Sequence, residues 1–387
     1  MIIKNLKAKQ VKTNYNVLVY SFTKILYQRF ILLSLTLLIF LMSGCAQLGP
    51  DFMENGRNEY NKVLANTNDE EMLLNLVRRR YADSIAILEV NSVSTSLEWK
   101  RSGGLIANIF EDTDNNNLGI RGDGSYSEKP TITYLPLQGS NYVRNVLSPI
   151  KPEIILLLTR SGWSIERLLR LTANKINGIN NASEASGPTP NFEPSYKDFK
   201  ALANIFYQLQ QKNMVSFGYQ LEGNANKLAL LIKQKFIASN EVKSLLTALN
   251  LSTRNTIIPL TTNFSSGTEG ASIEINLRSL AGIQFFLSHG VLIPDHDIVN
   301  NRVKVTKTKD GQNFNWQNIL SDLFVVYSQK EKPINASVKV KYRGHWFFIK
   351  DNDMESKYTL MLLNQISALQ SGNIEKVGPV LTLPVAQ

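Results

Sequence analysis

Cysteine and histidine are scarce in this sequence of 387 residues: one cysteine, Cys45, and three histidines, His289, His296 and His345. A single cysteine excludes an intramolecular disulfide, so packing alone must hold the fold. No Gly-x-Ser-x-Gly elbow, no Gly-x-x-x-x-Gly-Lys phosphate loop and no dinucleotide fingerprint occurs, so the common hydrolase and nucleotide signatures are absent. Long apolar runs are missing too. Residues 30–42 form 13 positions without a charge, short of the roughly 20 that a helical bilayer span needs. Acidic residues are absent from the first 44 positions, which carry Lys4, Lys7, Lys9, Lys12, Lys24 and Arg29. Of the 42 Lys and Arg in the chain, the remaining 36 face 32 Asp and Glu. The net charge of +10 therefore belongs largely to the N-terminal segment and is no footprint of nucleic-acid binding.

What is present is a motif. The apolar run ends in Leu41-Met42-Ser43-Gly44-Cys45, the pattern of a bacterial lipobox. Basic residues, a short apolar stretch and a small-residue cleavage site make residues 1–44 a signal peptide. The 29 residues ahead of Phe30 are long for its basic region, and an uncleaved N-terminal anchor is the other reading. Cys45 is the expected site of lipid attachment. One acyl chain binds a membrane only marginally, whereas two or three hold firmly at about 0.8 kcal/mol per buried methylene. Ala46, not an aspartate, follows the cysteine. By resemblance to well-studied bacterial lipoproteins, that implies the inner leaflet of the outer membrane.

Residues 45–56, with Gly49-Pro50, read as the acylated cysteine and a tether. Two regions follow, 57–182 and 195–384, separated by the polar stretch 177–195 with its Gly187-Pro188-Thr189-Pro190. Helices are expected over 58–65 and 72–81, the second opened by a capping box from Asn68 to Glu71. Arg78, Arg79 and Arg80 in its last turn are either an anion-binding patch or, preferably, charges favourable at a helix C-terminus. Residues 85–93 and 131–135 read as strands, with 111–125 a polar loop between them. In that loop Asp112-Thr113-Asp114-Asn115-Asn116 resembles a calcium loop with Asp123 at its twelfth position. Asn117 stands where glycine is needed, and a solvated hairpin loop is the plainer reading.

Further helices are expected over 152–160, 165–176, 196–212, 224–239, 240–249 and 277–288. Strands are expected over 257–262 and 272–276, with a hairpin over 302–316. A C-terminal meander of 324–328, 337–342 and 345–350 turns at Arg343-Gly344. A final helix over 352–371 presents Met354, Tyr358, Met361, Leu362 and Leu369 as its inward stripe. The fold class is α+β, with a C-terminal β-meander covered by a terminal helix.

Five segments carry a likeness: 71–81 (EMLLNLVRRRY), 130–138 (PTITYLPLQ), 161–171 (SGWSIERLLRL), 342–357 (YRGHWFFIKDNDMESK) and 368–384 (ALQSGNIEKVGPVLTLP). Through them the chain resembles a group of uncharacterised proteobacterial outer-membrane and periplasmic lipoproteins. The resemblance implies a periplasmic fold on a lipid anchor and names no reaction.

Few constellations suggest chemistry. His289, Asp295, His296 and Asp297 cluster in sequence, and imidazole with carboxylate suits zinc or general acid–base work. Their spacing matches no familiar zinc motif, and a helix end with a polar loop explains them as well. Asp351-Asn352-Asp353 reads as a helix cap. Lys339, Lys341 and Arg343 form a basic strand face that meets either solvent or an anionic polymer or headgroup. No catalytic, cofactor-binding or metal-ligating residue is assigned. The expected partners are the membrane, through the lipid on Cys45, and an envelope protein, with no nucleic acid. The alternative is an envelope hydrolase or cell-wall-binding enzyme using His289, Asp295 and His296.

Overall fold

The computed structural model describes residues 24, 26–36, 48–108, 117–222, 225–252, 255–262 and 272–372. The chain divides into two compact units, Met1–Thr67 and Asn68–Gln387. In the first, residues 26–36 are helical and exposed. Among the described residues no helix is long and apolar enough to cross a membrane. Cys45 and the lipobox lie outside the described residues, as do Asp112–Asn116 of the calcium-like loop.

Helix α1 spans Leu48–Arg80. It runs through both the expected tether and the two expected helices, so Asn68 and Glu71 are interior positions and form no cap. The carboxylate of Glu71 instead accepts from the Leu88 amide at 3.0 Å. Strands β1 (Leu88–Asn108) and β2 (Asn117–Pro136) then form a two-stranded antiparallel ribbon. It reaches far beyond the two short strands expected there, and Asp123 sits in β2 paired with Ser102. That pairing replaces the calcium-loop reading, because an extended strand cannot wrap an ion as a twelve-residue loop does.

The second unit is built on helices α2 (Pro152–Arg160), α3 (Ile165–Thr172), α4 (Lys197–Gln211) and α5 (Asn240–Ala248) with a six-stranded sheet. Helix α3 stops four residues before its expected end, and Ala173–Ile176 becomes strand β3. Asn177 and Gly178, at φ +43° and +80°, turn it into β4 (Ile179–Asn180), the positive-φ pair that a two-residue hairpin requires. Strands β5 (Val215–Glu222) and β6 (Ala225–Ile232) replace the helix expected over 224–239. β6 lies between β5 and β7 (Ile257–Thr261). A short apolar run buried in a sheet and a buried helix cannot be told apart by periodicity alone. Strand β8 (Ile273–Leu277) completes the order β4-β3-β8-β7-β6-β5, with β7 and β8 parallel and the other pairs antiparallel. Because β3 pairs with β8, the regions 57–182 and 195–384 share one sheet within one compact unit.

After β8 the chain turns through Arg278 into helix α6 (Leu280–Ser288). Ser279 caps it, its hydroxyl accepting from the Gly282 amide at 3.0 Å. The side chain of Arg278 is fully buried. It donates to the Arg170 and Leu171 carbonyls at 3.0 and 3.1 Å, to Ser186 Oγ at 2.9 Å, and to the Asn181 carbonyl. Its guanidinium also lies 4.1 Å from the centre of the Phe286 ring. Burial lowers its pKa to about 9. Its acceptors include the last carbonyls of α3, groups a helix leaves unsatisfied and at which a cation is favoured. Asn181 serves the same end, its Nδ2 donating to the Arg170 and Ala173 carbonyls at 2.8 and 2.7 Å.

Helices α7 (Asp295–Val299) and α8 (Gln317–Leu320) follow. Of the hairpin expected over 302–316, the ladder is a single bridge, Lys307 with Asn313. Strands β9 (Tyr327–Gln329), β10 (Ala336–Tyr342) and β11 (His345–Lys350) form a C-terminal antiparallel sheet, but β9 pairs with β11 and not with β10, so β11 is in the middle and the sequential order of the expected meander is not kept. Arg343 and Gly344, at φ +45° and +83°, make its tight turn. The terminal helix α9 (Met354–Ser371) packs against α2 and the segment Val143–Leu147.

The inward face of α9 is not the expected stripe. Leu360, Leu362, Leu363 and Ile366 enter the core, and of the expected stripe only Leu362 is among them. Met354, Tyr358, Met361 and Leu369 are between 41% and 45% exposed. Polar contacts set this rotation. Ser356 Oγ accepts from the Val325 amide at 2.8 Å, and Thr359 Oγ1 donates to the Leu323 carbonyl at 2.7 Å. Both hydroxyls must face inward, which turns Tyr358 and Met361 out.

Replacing Arg278 by leucine leaves several carbonyls with no donor. Each unsatisfied buried group costs about 1–3 kcal/mol, so Arg278→Leu is expected to destabilise the fold by about 2–4 kcal/mol in urea unfolding. Arg278→Lys should recover little of the loss, because an ammonium cannot span acceptors set out for a planar fork. A variant within 0.5 kcal/mol of wild type, on the order of an ordinary surface substitution, would show the guanidinium to be dispensable.

Candidate functional site

The residues read as chemical candidates lie in two different settings. His289 follows α6 and is buried, its ring stacked on Trp316 at 3.9 Å between centroids and 9° between planes. Neither ring nitrogen has a hydrogen-bond partner within the protein. Burial, with a smaller contribution from the Arg80 charge, holds its pKa well below the ordinary value. His289 is therefore a flat, neutral packing surface. Asp295 and His296 are exposed on α7. Among the described residues no group of three or more His, Cys, Asp or Glu side chains is placed to hold a metal. His345 is partly buried beside the turn of the C-terminal sheet.

Asp297, next to His296, is the buried member of that cluster. It accepts from Tyr81 Oη at 2.6 Å and from Arg302 Nη1 at 2.8 Å. Burial disfavours its charge, but these hydrogen bonds outweigh it and hold the carboxyl below its usual range. Burial and the bond to Asp297 together push the Tyr81 phenol up. The same tyrosine lies 5.0 Å from the Arg343 guanidinium, and Arg343 bonds Asp83 at 2.8 Å. Tyr342 also donates to Asp83. Arg343 is thus committed to Asp83, and the basic strand face is reduced to Lys339 and Lys341.

Two of the three arginines ending α1, Arg79 and Arg80, are committed as well. Arg80 donates to the Lys304 carbonyl at 2.9 Å, and burial lowers its pKa to about 10. Arg79 donates to Gln284 Oε1 at 3.0 Å and lies over the Phe285 ring at 4.6 Å. They fasten the helix end to α6 and the 304 segment. Asp353 caps α9, accepting from the Ser356 amide at 3.1 Å.

One surface feature remains. A groove of about 420 Å³ lies beside the exposed side of α9, lined by Trp163, Arg167, Tyr358, Met361 and Gln365 among others. Trp163 Nε1 donates to Gln365 Oε1 at 2.8 Å. Arg167 donates to the Glu355 carbonyl and to Thr359 Oγ1 at 2.9 and 2.8 Å, and its guanidinium lies 5.9 Å from the centre of the Tyr358 ring. Met354 and Leu369 extend the apolar line along the helix. Tryptophan, tyrosine, methionine and arginine are the side chains enriched where proteins meet. The sequence held the signal, since 354, 358, 361, 365 and 369 follow helical spacing. Periodicity alone could not say that the neighbouring stripe was the buried one.

Two tests follow. His289 is neutral in the folded chain and titrates near 6.5 when unfolded. Below pH 6.5 the unfolded state therefore binds an extra proton, and stability should fall by about 1.4 kcal/mol per pH unit. His289→Phe should remove this slope between pH 6.5 and 5, read as the difference between the two chains in denaturant midpoint. Parallel slopes would contradict a neutral buried imidazole. On α9, Leu362→Asp should destabilise severely, as core leucine truncation alone costs about 2–5 kcal/mol. Met361→Asp should change stability by less than about 0.5 kcal/mol. Equal losses would refute the assigned faces.

No family model, no curated protein and no solved structure matches this chain.

Proposed function

We propose that this chain is a lipid-anchored lipoprotein of the periplasmic face of the outer membrane that acts through contacts with another envelope protein, without catalysis of its own. The anchor reading rests on Leu41–Cys45 behind the short apolar run and on the resemblance to proteobacterial lipoproteins. The observation that carries the contact reading is the exposed apolar line of α9 with its groove at Trp163. A partner suited to it presents apolar side chains to Tyr358 and Met361 and a hydrogen-bonding group toward Gln365. The placement of His289 in packing, with Asp295 and His296 at the surface, gives the hydrolase alternative no convergent cluster to use.

Cys45→Ser tests the anchor. The variant should take up no fatty-acid analogue in metabolic labelling and should keep its signal segment, and equal label on both chains would end the anchor reading. A photo-crosslinking residue at Met361 tests the contact. It should trap a distinct envelope protein in cells, and the adduct should disappear on Trp163→Asp. Adducts unchanged by that substitution would count against the groove.

A further inference from the structure

Helix α9 leaves one side without a cover among the described residues. Met354, Tyr358, Met361 and Leu369 are exposed along it, with Gln365 in the same line. Tyr358, Met361 and Gln365 line the groove of about 420 Å³ from α9, and Trp163 and Arg167 line it from the segment entering α3. The one charge in this lining is matched, since Arg167 pairs with the Glu355 carboxylate. The groove therefore offers aromatic and apolar surface with no free charge. Aromatic-lined grooves take extended, proline-bearing segments, whose conformation is largely set before binding.

Such a segment follows α9 directly. The helix ends at Ser371 with Gly372 after it. Residues 373–387, outside the described residues, read NIEKVGPVLTLPVAQ and carry no charge after Lys376. Pro379 and Pro384 oppose a helix through 377–385, because each lacks an amide hydrogen and crowds the preceding turn. Val377, Pro379, Leu381, Leu383 and Val385 alternate with Gly378, Val380, Thr382 and Pro384. An extended chain places the first set on one side.

The spacings of helix and segment agree. Leu369, Gln365, Met361, Tyr358 and Met354 succeed one another at steps of 4, 4, 3 and 4 residues, or about 6, 6, 4.5 and 6 Å along the axis. Alternate residues of an extended chain stand about 6.6 Å apart. A segment running back along α9 sets Val377 at Leu369, Pro379 at Gln365, Leu381 at Met361, Leu383 at Tyr358 and Val385 at Met354. Over that whole length the two series drift apart by only about 4 Å. Pro379 then meets Trp163, which donates to Gln365. The four residues 373–376 reach up to about 13 Å, enough to reverse the chain at the helix end.

We propose that residues 377–385 lie in the α9 groove of their own chain as a strap, and that the envelope partner engages α9 by displacing it. A short tether holds its segment at an effective concentration of about millimolar, so the groove opens only to a partner that binds more tightly than the strap. The displacement rests on the contact reading of the groove, whereas the occupancy rests on this chain alone.

The test places benzoylphenylalanine at Met361, an exposed position, in the full chain. In the purified protein, light should join it to the peptide 377–387 of the same chain, read by mass spectrometry of the monomer. Leu381→Asp with Leu383→Asp should lower that link about tenfold or more, because two buried leucine contacts are lost. The link from the unsubstituted tail decides even where the double variant lowers the thermal midpoint. In cells, a chain ending at Lys376 should give about threefold or more of the envelope-protein adduct, because a filled groove lowers the partner's apparent affinity by the fraction of chains left open. A link between two chains would make a second copy the occupant and overturn the proposal. A monomer without a tail link overturns it too, as does an envelope adduct unmoved by removal of the tail. A tail link with no envelope adduct from either chain would remove the partner reading and leave the strap in place. An envelope adduct without a tail link would do the reverse.

Discussion

The fully buried guanidinium of Arg278 is the interaction on which the arrangement of the larger unit depends. A cation with no carboxylate against it is costly to bury, and it is tolerated only where dipoles replace the lost water. Here the replacement comes from the carbonyl ends of α3 and from Asn181 and Ser186. Those groups lie 92 to 108 positions ahead of Arg278, so satisfying one side chain ties the exit of α3 and the loop after β4 to the entry of α6. The Arg278 amide also donates to the Thr172 carbonyl at 2.7 Å, and the Ile150 amide donates to the Arg278 carbonyl at 3.0 Å. Backbone and side chain therefore hold the same junction, and β3 is delivered beside β8. Arg170 extends the pattern, joining Glu166 at 2.8 Å, Asp322 at 2.7 Å and the Ile319 carbonyl at 2.9 Å.

A second junction forms around Tyr81. Its hydroxyl meets Asp297, its ring meets Arg343, and Asp83 two residues on meets Arg343 and Tyr342. The end of α1 is thereby bonded to both α7 and the C-terminal sheet. Gly290 shows how tightly that sheet's approach is packed: a Cβ there would collide with the Phe324 carbonyl oxygen. The bare backbone lets Val326 donate to the Gly290 carbonyl at 3.0 Å and Leu292 donate to the Val326 carbonyl at 2.9 Å. Asp297 and Arg343, which looked available for chemistry, are consumed in this junction.

Much of the α+β fold was legible where local chemistry is strong. Ser164 caps α3, the turn at Arg343-Gly344 joins β10 to β11, and helices at 152–160 and 240–249 stand close to where periodicity puts them. The failures have identifiable causes. Asn177-Gly178 is a strong hairpin signal, but it stands at the head of the polar stretch 177–195, whose composition masks it. The β5–β6 hairpin hid because Leu228, Leu230 and Ile232 are buried in a strand paired on both sides, which removes the alternation that marks strands at a surface. For α9 the choice between two overlapping stripes was made by Ser356 and Thr359, whose partners lie in the 323–325 segment. Hydrophobicity could not report that, because hydroxyls faced inward and methionines outward. The sequence clustering of His289, Asp295 and His296 misled for a related reason: the helix end at Ser288 separates a buried position from exposed ones.

The ribbon poses the sharper question, because a sheet of two strands leaves an outer edge on each of them. Its residues 94–107 and 118–130 are rich in serine, threonine and glycine, so mean hydropathy makes them resemble a loop. What marks them as strands is pairing, which no local window contains. A ribbon that long has little to gain from its own cross-strand contacts, which contribute roughly 0.2–1 kcal/mol per pair. That gain is small beside the backbone entropy of about 1–2 kcal/mol for each ordered residue. Its order must therefore draw on groups beyond the hairpin's own ladder, and its unpaired edges are where a two-stranded sheet can take them up.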